Sequence, residues 1–149
     1  MLACDASLAV ELSLDRIGEE ASSSLGNNEP IGPPLLWSEV PSVLHEMAFR
    51  GEISQDLGEQ ALQRFLGAKL QIAERRPEGP TRRAWQLAGE FGWAKTYDAE
   101  YLAVADLLGC RLVTLDVRLH RGAKRLGFVV TPAELATEAP STSSQSVDE

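Results

Sequence analysis

Four acidic residues stand at places in the sequence where a carboxylate can serve as a metal ligand. Asp5 follows the short apolar run "LAC", and Asp116 follows "LVTL". Asp98 lies near the start of the helix-like segment "TYDAEYLAVADLLG", and Glu39 lies in "WSEV". Carboxylate oxygens are the ligands that Mg²⁺ and Mn²⁺ prefer, and such ions activate water for attack on a phosphodiester. The four positions therefore indicate an acidic metal site, provided that the fold brings them together.

Each acid also has an ordinary structural interpretation. Asp5 and Asp98 could cap helices, Asp116 could open a turn, and Glu39 could be a solvated acid in a first helical turn. A cluster of like charges is tolerable mainly when a cation neutralises it, because the carboxylates otherwise raise each other's pKa. A zinc site would more often use histidine or cysteine, and the two histidines of the chain are not spaced as a ligand pair.

The elements that must position these acids alternate between strands and helices, which is typical of an α/β fold with a mostly parallel sheet. Ligands of such sheets bind outside the carboxyl ends of the strands, so the pattern predicts that Asp5 and Asp116 are neighbours. The hydrophobic spacing and the Gly, Pro and Ser residues predict strands over 1–4, 69–74, 110–116 and 128–132. They predict helices over 8–14, 15–26, 35–51, 54–68, 80–92 and 96–109, and a short basic helix or turn over 117–127.

Length and composition favour one folded domain over residues 1–135. Residues 136–149 are small, polar and acidic, so we expect a disordered Ser-rich tail. The net charge of −8 argues against a passive nucleic-acid-binding module but not against an enzyme that meets phosphates through bound cations. No apolar run reaches the roughly 20 residues of a membrane span, and the first residues lack a basic n-region. We therefore expect a cytoplasmic protein that does not engage the membrane, with Cys4 and Cys110 as free thiols.

Several other site types are absent from the sequence. There is no G-x-G-x-x-G, Walker A, H-E-x-x-H or G-x-S-x-G motif. A phosphorylated receiver domain would need an acidic pair after its first strand and a lysine after a late strand. Here "CDAS" carries one acid, and Asp116 stands where that lysine would be.

Three segments, "CDASLAVEL", "PPLLWSEV" and "KTYDAEYLAVADLLGCRLVTLD", resemble the PIN-domain ribonucleases, specifically the VapC-type toxins of bacterial toxin–antitoxin pairs. The resemblance extends over about residues 1–132. It implies a three-layer α/β/α sandwich with a central parallel sheet. It also implies an acidic catalytic site that consists of Asp5, Glu39, Asp98 and Asp116. Asp5, Asp98 and Asp116 would hold Mg²⁺ or Mn²⁺.

The resemblance also implies supporting residues and strand pairing. Ser7 and Thr114 match hydroxyl residues beside the first and last acids. Ser7 could instead cap the first helix, and Thr114 could be an ordinary strand residue. The strand before Asp5 would pair with the strand before Asp116, which would leave Cys4 and Cys110 too far apart for a disulfide. One departure is Pro41, which falls two residues after Glu39, so either Ser38 caps a helix that starts late or the helix is kinked.

The function that the resemblance implies is Mg²⁺-dependent hydrolysis of RNA by a homodimeric toxin that a VapB-type antitoxin inhibits. The segments "LLWSEVPSVLHEMAF" and "LGEQALQRFL" are candidates for the antitoxin groove, with internal packing as the alternative. Arg118, Arg121 and Lys124 could steer RNA phosphates toward the acids, or they could be a solvated helix face. Two further readings are a PIN-fold RNA-processing nuclease and a catalytically silent RNA-binding scaffold, both outside a toxin–antitoxin pair.

Overall fold

The computed structural model of the chain describes residues 1–26, 28, 30–68, 71–72 and 79–138. Its strands are β1 (Leu2–Cys4), β2 (Ile31–Gly32), β3 (Gln71–Ile72), β4 (Arg111–Val113) and β5 (Val129–Val130). Its α-helices are α1 (Ala6–Ser13), α2 (Glu19–Leu25), α3 (Leu36–Phe49), α4 (Gln55–Gly67), α5 (Pro80–Phe91), α6 (Tyr97–Leu108), α7 (Val117–Ala123) and α8 (Pro132–Glu138). A short 3₁₀ turn, Lys124–Leu126, follows α7.

The strands form one parallel sheet in the order β3-β2-β1-β4-β5. From β1 the chain first moves outward to β2 and β3, and it then returns to β4 on the other side of β1. Because crossovers between parallel strands are right-handed, this reversal places the connecting helices on opposite faces of the sheet. The reversal also opens a crevice between the carboxyl ends of β1 and β4, which is where ligands bind in open α/β sheets. The three-layer α/β/α arrangement predicted from the sequence is thus confirmed.

The helices pack in groups that support this crevice. Helices α1, α3 and α4 contact one another, whereas α6 packs between α5 and the strands β1, β2 and β4. As a result α6 is buried on most of its surface, including the run from Tyr101 to Ala105. The hydrophobic spacing of this segment predicts one apolar stripe, which consists of Tyr97, Tyr101, Val104, Ala105 and Leu108. That prediction is wrong at the ends of the helix. Tyr97 and Leu108 are exposed, because only the middle of α6 lies between two layers.

Helix α3 begins at Leu36, before Ser38, and runs through Pro41. Of the two alternatives for Pro41, the late-starting helix capped by Ser38 is wrong, since Leu35 occupies the N-cap position and no side chain caps this end. Gly32 sets the approach of α3 to the sheet, because a Cβ atom at this position would collide with the Leu36 side chain. Pro41 has no backbone N–H, so the carbonyl of Trp37 lacks the usual helical donor four residues on.

At the C-terminal side, α8 continues past residue 135 to Glu138, whose carboxylate accepts a hydrogen bond from Arg111 at 3.0 Å. Residues 136–138, which the composition assigned to the tail, thus belong to α8. Residues 139–149 lie outside the described residues, as does most of the strand predicted over 69–74. Cys4 and Cys110 are free thiols, as predicted. Within the described ranges, no helix has the length and apolar character that crossing a membrane requires.

Candidate active site

The crevice between β1 and β4 receives acids from both strands. Strand pairing aligns Cys4 with Val113, so the next residues along, Asp5 and Thr114, leave the sheet side by side. Asp116 follows at the start of α7. The prediction that Asp5 and Asp116 share one edge of the sheet is therefore met by the register of the two strands.

All four predicted acids line one cavity of about 420 Å³ at this edge. Asp5 and Asp116 come from the ends of β1 and β4, whereas Glu39 comes from α3 and Asp98 from the first turn of α6. Apolar side chains, including Val10, Val43, Met47 and Leu115, complete much of the remaining wall. The cavity thus combines several carboxylates with an apolar lining that reduces their contact with water.

Asp5 is the most tightly held of these acids, and it is 3% exposed. Its Oδ1 atom accepts hydrogen bonds from the Ser7 hydroxyl at 2.6 Å and from the Leu8 amide at 3.1 Å. Its Oδ2 atom accepts one from the Thr114 hydroxyl. Asp5 is thus the N-cap of α1 as well as a cavity residue, and Ser7 lies inside the helix rather than capping it.

Backbone amides orient the two hydroxyls that hold Asp5. The Leu115 amide donates to the Ser7 Oγ at 3.0 Å, and the Asp116 amide donates to the Thr114 Oγ1 at 2.9 Å. Each hydroxyl has one proton, and the accepted amide bond leaves that proton to point toward the carboxylate. The chain therefore provides Asp5 with three donors, an arrangement that stabilises its ionised form in a buried place.

The other three acids are held differently. Asp116 caps α7, since its Oδ1 accepts from the amides of Arg118 at 2.8 Å and Leu119 at 3.1 Å. Glu39 accepts a hydrogen bond on Oε2 from the Tyr101 hydroxyl. Asp98 accepts no hydrogen bond from the described part of the chain, and Thr96, not Asp98, occupies the N-cap position of α6.

The acids act on each other electrostatically. Burial raises the pKa of Asp5 above its usual value, hydrogen bonds from Ser7 and Thr114 oppose that shift, and the charge of Asp116 adds to it. Burial and then the charge of Asp116 raise the pKa of Asp98, whereas Arg118 lowers it. Burial also raises the pKa of Glu39, as do the nearby charges of Asp98 and Asp5. The cavity therefore concentrates negative charge that a cation would relieve.

The donor set suits a hard divalent cation in kind, because the described lining offers carboxylate and hydroxyl oxygens but no thiol or imidazole. As the side chains stand, no three His, Cys, Asp or Glu residues of the described ranges are close enough together to coordinate one ion. Ligation by three of these acids thus requires side-chain rotation. The carboxylate of Asp98 can rotate most readily, because no hydrogen bond within the described ranges restrains it.

The basic residues after Asp116 lie on α7, which this acid caps, and on the 3₁₀ turn that follows it. Arg118 is exposed and close enough to Asp98 to lower its pKa. Arg121 and Lys124 are exposed further along the same segment. In contrast, the His120 ring lies 2.7 Å from the Glu134 carboxylate, and Arg125 lies over the Phe91 ring, so these two have structural contacts.

Two cavity residues were not singled out from the sequence. Tyr101 was assigned only to an apolar stripe, although a buried tyrosine usually needs a partner for its hydroxyl, and this one is three residues from Asp98 on the same helix face. Glu11 lines the cavity from α1, four residues after Ser7. The same helical spacing could have identified both residues.

Comparison with known proteins agrees with this fold. A family model described as "PIN domain" matches residues 2–125. The VapC ribonuclease Mb0985 of Mycobacterium bovis is 33% identical over 101 residues, which are 67% of this chain and 76% of that protein. Ribonuclease VapC9 of Mycobacterium tuberculosis matches to the same extent. The crystal structure of PAE2754 from Pyrobaculum aerophilum superimposes with a TM-score of 0.68 at 22% identity, covering 93% of this chain and 97% of that one.

These comparisons support the parallel α/β fold described above. The chain belongs to the PIN domain family. The predicted resemblance to the VapC-type members of that family is confirmed by the two mycobacterial relatives.

Proposed function

We propose that this chain is a divalent-metal-dependent endoribonuclease and the toxin of a VapBC-type toxin–antitoxin pair. The observation that carries the proposal is the convergence of Asp5, Glu39, Asp98 and Asp116 on one cavity at the sheet edge. The likeness to proteins named VapC ribonuclease supports RNA as the substrate.

In this proposal Asp5, Asp98 and Asp116 would hold Mg²⁺ or Mn²⁺, and Glu39 would complete or orient the set. The cation would activate water and neutralise charge on the phosphodiester during hydrolysis. The contribution of the chain is to hold these acids in place. Ser7, Thr114 and the Leu8 amide do this for Asp5, and the N-terminus of α7 does it for Asp116.

RNA would approach over α7. Arg118, Arg121 and Lys124 are exposed along the segment that follows Asp116, and Arg118 is close enough to Asp98 to lower its pKa. Their charges would attract phosphates to a protein that is acidic as a whole. We assign this activity to one catalytic domain that extends through α8, and the residues after Glu138 to the tail that their composition predicts.

The antitoxin proposal has support from the surface of α3 and α4. Phe49, which is 82% exposed, and Leu66 leave apolar area uncovered on these helices, and Trp37 is partly exposed beside Phe65. Apolar side chains of this size commonly mark protein interfaces. We propose that a VapB-type antitoxin covers this region, that a basic side chain of the antitoxin enters the acidic cavity, and that the toxin itself is a homodimer.

The experiment compares the purified parent protein with Asp98→Asn on single-stranded RNA of mixed sequence in Mg²⁺. The variant removes one charge from the cavity and no hydrogen bond to the described chain, so we expect a folded protein whose cleavage rate falls at least about a hundredfold. Asp56→Asn is the matched control, because Asp56 is likewise the second residue of its helix but lies away from the cavity. It should cut at the parental rate.

Other outcomes separate the alternatives. An Asp98→Asn protein that cuts as fast as the parent would contradict the site assignment. A parent protein that binds RNA without cutting it in Mg²⁺ or Mn²⁺ would instead indicate a silent scaffold. Growth arrest on expression, relieved by the product of an adjacent reading frame, would distinguish a toxin from an RNA-processing nuclease.

A further inference from the structure

Tyr101 is a buried residue whose hydroxyl reaches the acidic cavity. Its side chain is only 2% exposed, yet the residue forms part of the cavity lining. The phenolic O–H donates to Oε2 of Glu39, a residue 62 positions earlier in the chain. The ring thus extends from the core of α6 to a carboxylate on α3, and it is the one hydrogen-bond donor that the described residues provide to Glu39.

The position of the Glu39 carboxylate depends on this bond, because no other donor of the described residues reaches it. A glutamate also has one more rotatable bond than an aspartate, so fixing its carboxylate costs more conformational entropy. A hydrogen bond from a buried, packed ring offsets that cost.

The phenol is suited to remain a donor. Burial raises the pKa of Tyr101 well above its usual range, and the neighbouring Glu39 carboxylate adds to the shift. The hydroxyl therefore keeps its proton throughout the range in which the carboxylates are ionised. Tyr101 and Asp98 are three residues apart on α6, so this helix bears one of the four acids and also the residue that bonds Glu39.

We propose that Tyr101 is a positioning residue of the metal site: its hydroxyl fixes one oxygen of Glu39 and leaves the other oxygen available to the cation or its water. This inference rests on the proposed metal-dependent function and goes beyond it by assigning a role to a residue outside the acidic set.

The test measures Mn²⁺ binding without RNA, by calorimetry, for the parent, Tyr101→Phe, Glu39→Gln and the double variant. The Tyr101→Phe protein should bind Mn²⁺ about threefold to tenfold more weakly than the parent, because it lacks one hydrogen bond to a carboxylate. In the Glu39→Gln background the same substitution should have no further effect, because its target is already changed. Tyr97→Phe is the matched control, since Tyr97 is one turn away on the same helix, 55% exposed and outside the cavity.

A second measurement needs no variant. The chain has two tyrosines, so labelling tyrosine with ¹³C at the ζ-carbon gives one signal for Tyr97 and one for Tyr101. Titration with Mg²⁺ should shift the Tyr101 signal and leave that of Tyr97 in place.

Three results would overturn the inference. In the first, the Tyr101→Phe protein binds Mn²⁺ as tightly as the parent. In the second, Tyr101→Phe lowers the Mn²⁺ affinity of the Glu39→Gln protein by as much as it lowers that of the parent. In the third, saturating Mg²⁺ leaves the Tyr101 signal unmoved. If the parent protein itself binds no Mn²⁺ or Mg²⁺, the proposed function fails first, and the positioning role fails with it. The parent's own binding curve thus distinguishes the two failures.

Discussion

Thr114→Val tests how the buried carboxylate of Asp5 is kept in place. The substitution preserves the shape of a side chain that is fully buried, and it removes only the hydroxyl group. Two hydrogen bonds disappear with it, the one that Thr114 donates to Asp5 and the one that it accepts from the Asp116 amide. At about 1–2 kcal/mol for each bond lost at a buried or charged partner, we expect the free energy of unfolding to fall by about 2–4 kcal/mol.

The same reasoning ranks two related variants. Ser7→Ala should cost about 1 kcal/mol, because the Leu8 amide still donates to the same oxygen of Asp5. Thr114→Ser keeps the hydroxyl and removes one methyl group, so its cost should also be about 1 kcal/mol. Thr114→Val should therefore be the least stable of the three. Its deficit should shrink in acid, because the hydroxyl stabilises the ionised form of Asp5 and not the protonated one.

Urea unfolding of the metal-free proteins, measured by tryptophan fluorescence, gives the required free energies. All variants are fitted with the same slope of unfolding free energy against urea concentration. Two results would refute this account of Asp5. Thr114→Val could unfold within about 0.5 kcal/mol of the parent, a difference typical of a neutral surface change. Alternatively, Thr114→Ser could be as destabilising as Thr114→Val. The loss of unfolding free energy would then come from changed packing and not from the missing hydroxyl.

The remaining predictions concern pH, RNA affinity and thiol chemistry. Burial raises the pKa of Asp5, Asp98 and Glu39, so the folded state binds their protons more tightly than the unfolded chain does. Stability of the metal-free protein should therefore fall as the pH rises above the ordinary carboxyl range, and saturating Mg²⁺ should reduce that fall in urea titrations. Arg118→Gln should raise the KM for RNA about threefold to tenfold. It should also reduce by about one the slope of the logarithm of the RNA binding constant against the logarithm of the salt concentration. Arg50→Gln, which lies away from the cavity, should change neither quantity. Burial raises the pKa of Cys4 to about 12, so this thiol should react slowly. Ellman's reagent at pH 8 should therefore modify at most one thiol of the folded protein, and both thiols in guanidinium. Rapid reaction of two thiols in the folded state would contradict the packing of β1.

Local signals in the sequence were enough to predict the elements that bear the aspartates. Pro80 and Gly92 marked the ends of α5, and the apolar run after Asp98 identified α6. The proximity of Asp5 and Asp116 also followed from the sequence, because parallel strands present their carboxyl ends at one edge. These inferences needed only the order of the elements.

Contacts between distant segments could not be read in this way. The sequence left two alternatives for the start of α3, because Leu36 begins the helix by packing against Gly32 rather than by a side-chain cap. The bond between Tyr101 and Glu39 depends on the separation of α6 from α3, which no local pattern specifies. For the same reason the exposed ends of α6 were missed, since they depend on where α5 and the sheet stop covering it.

The pairing of β1 with β4 has a consequence for synthesis. Asp5 emerges from the ribosome early, but its partner Thr114 follows 109 residues later, and Asp116 comes after that. A nascent chain therefore cannot gather its carboxylates until β4 has been translated and has docked against β1. On the proposed function, a ribosome making this protein would not meet an active nuclease on the nascent chain before that point.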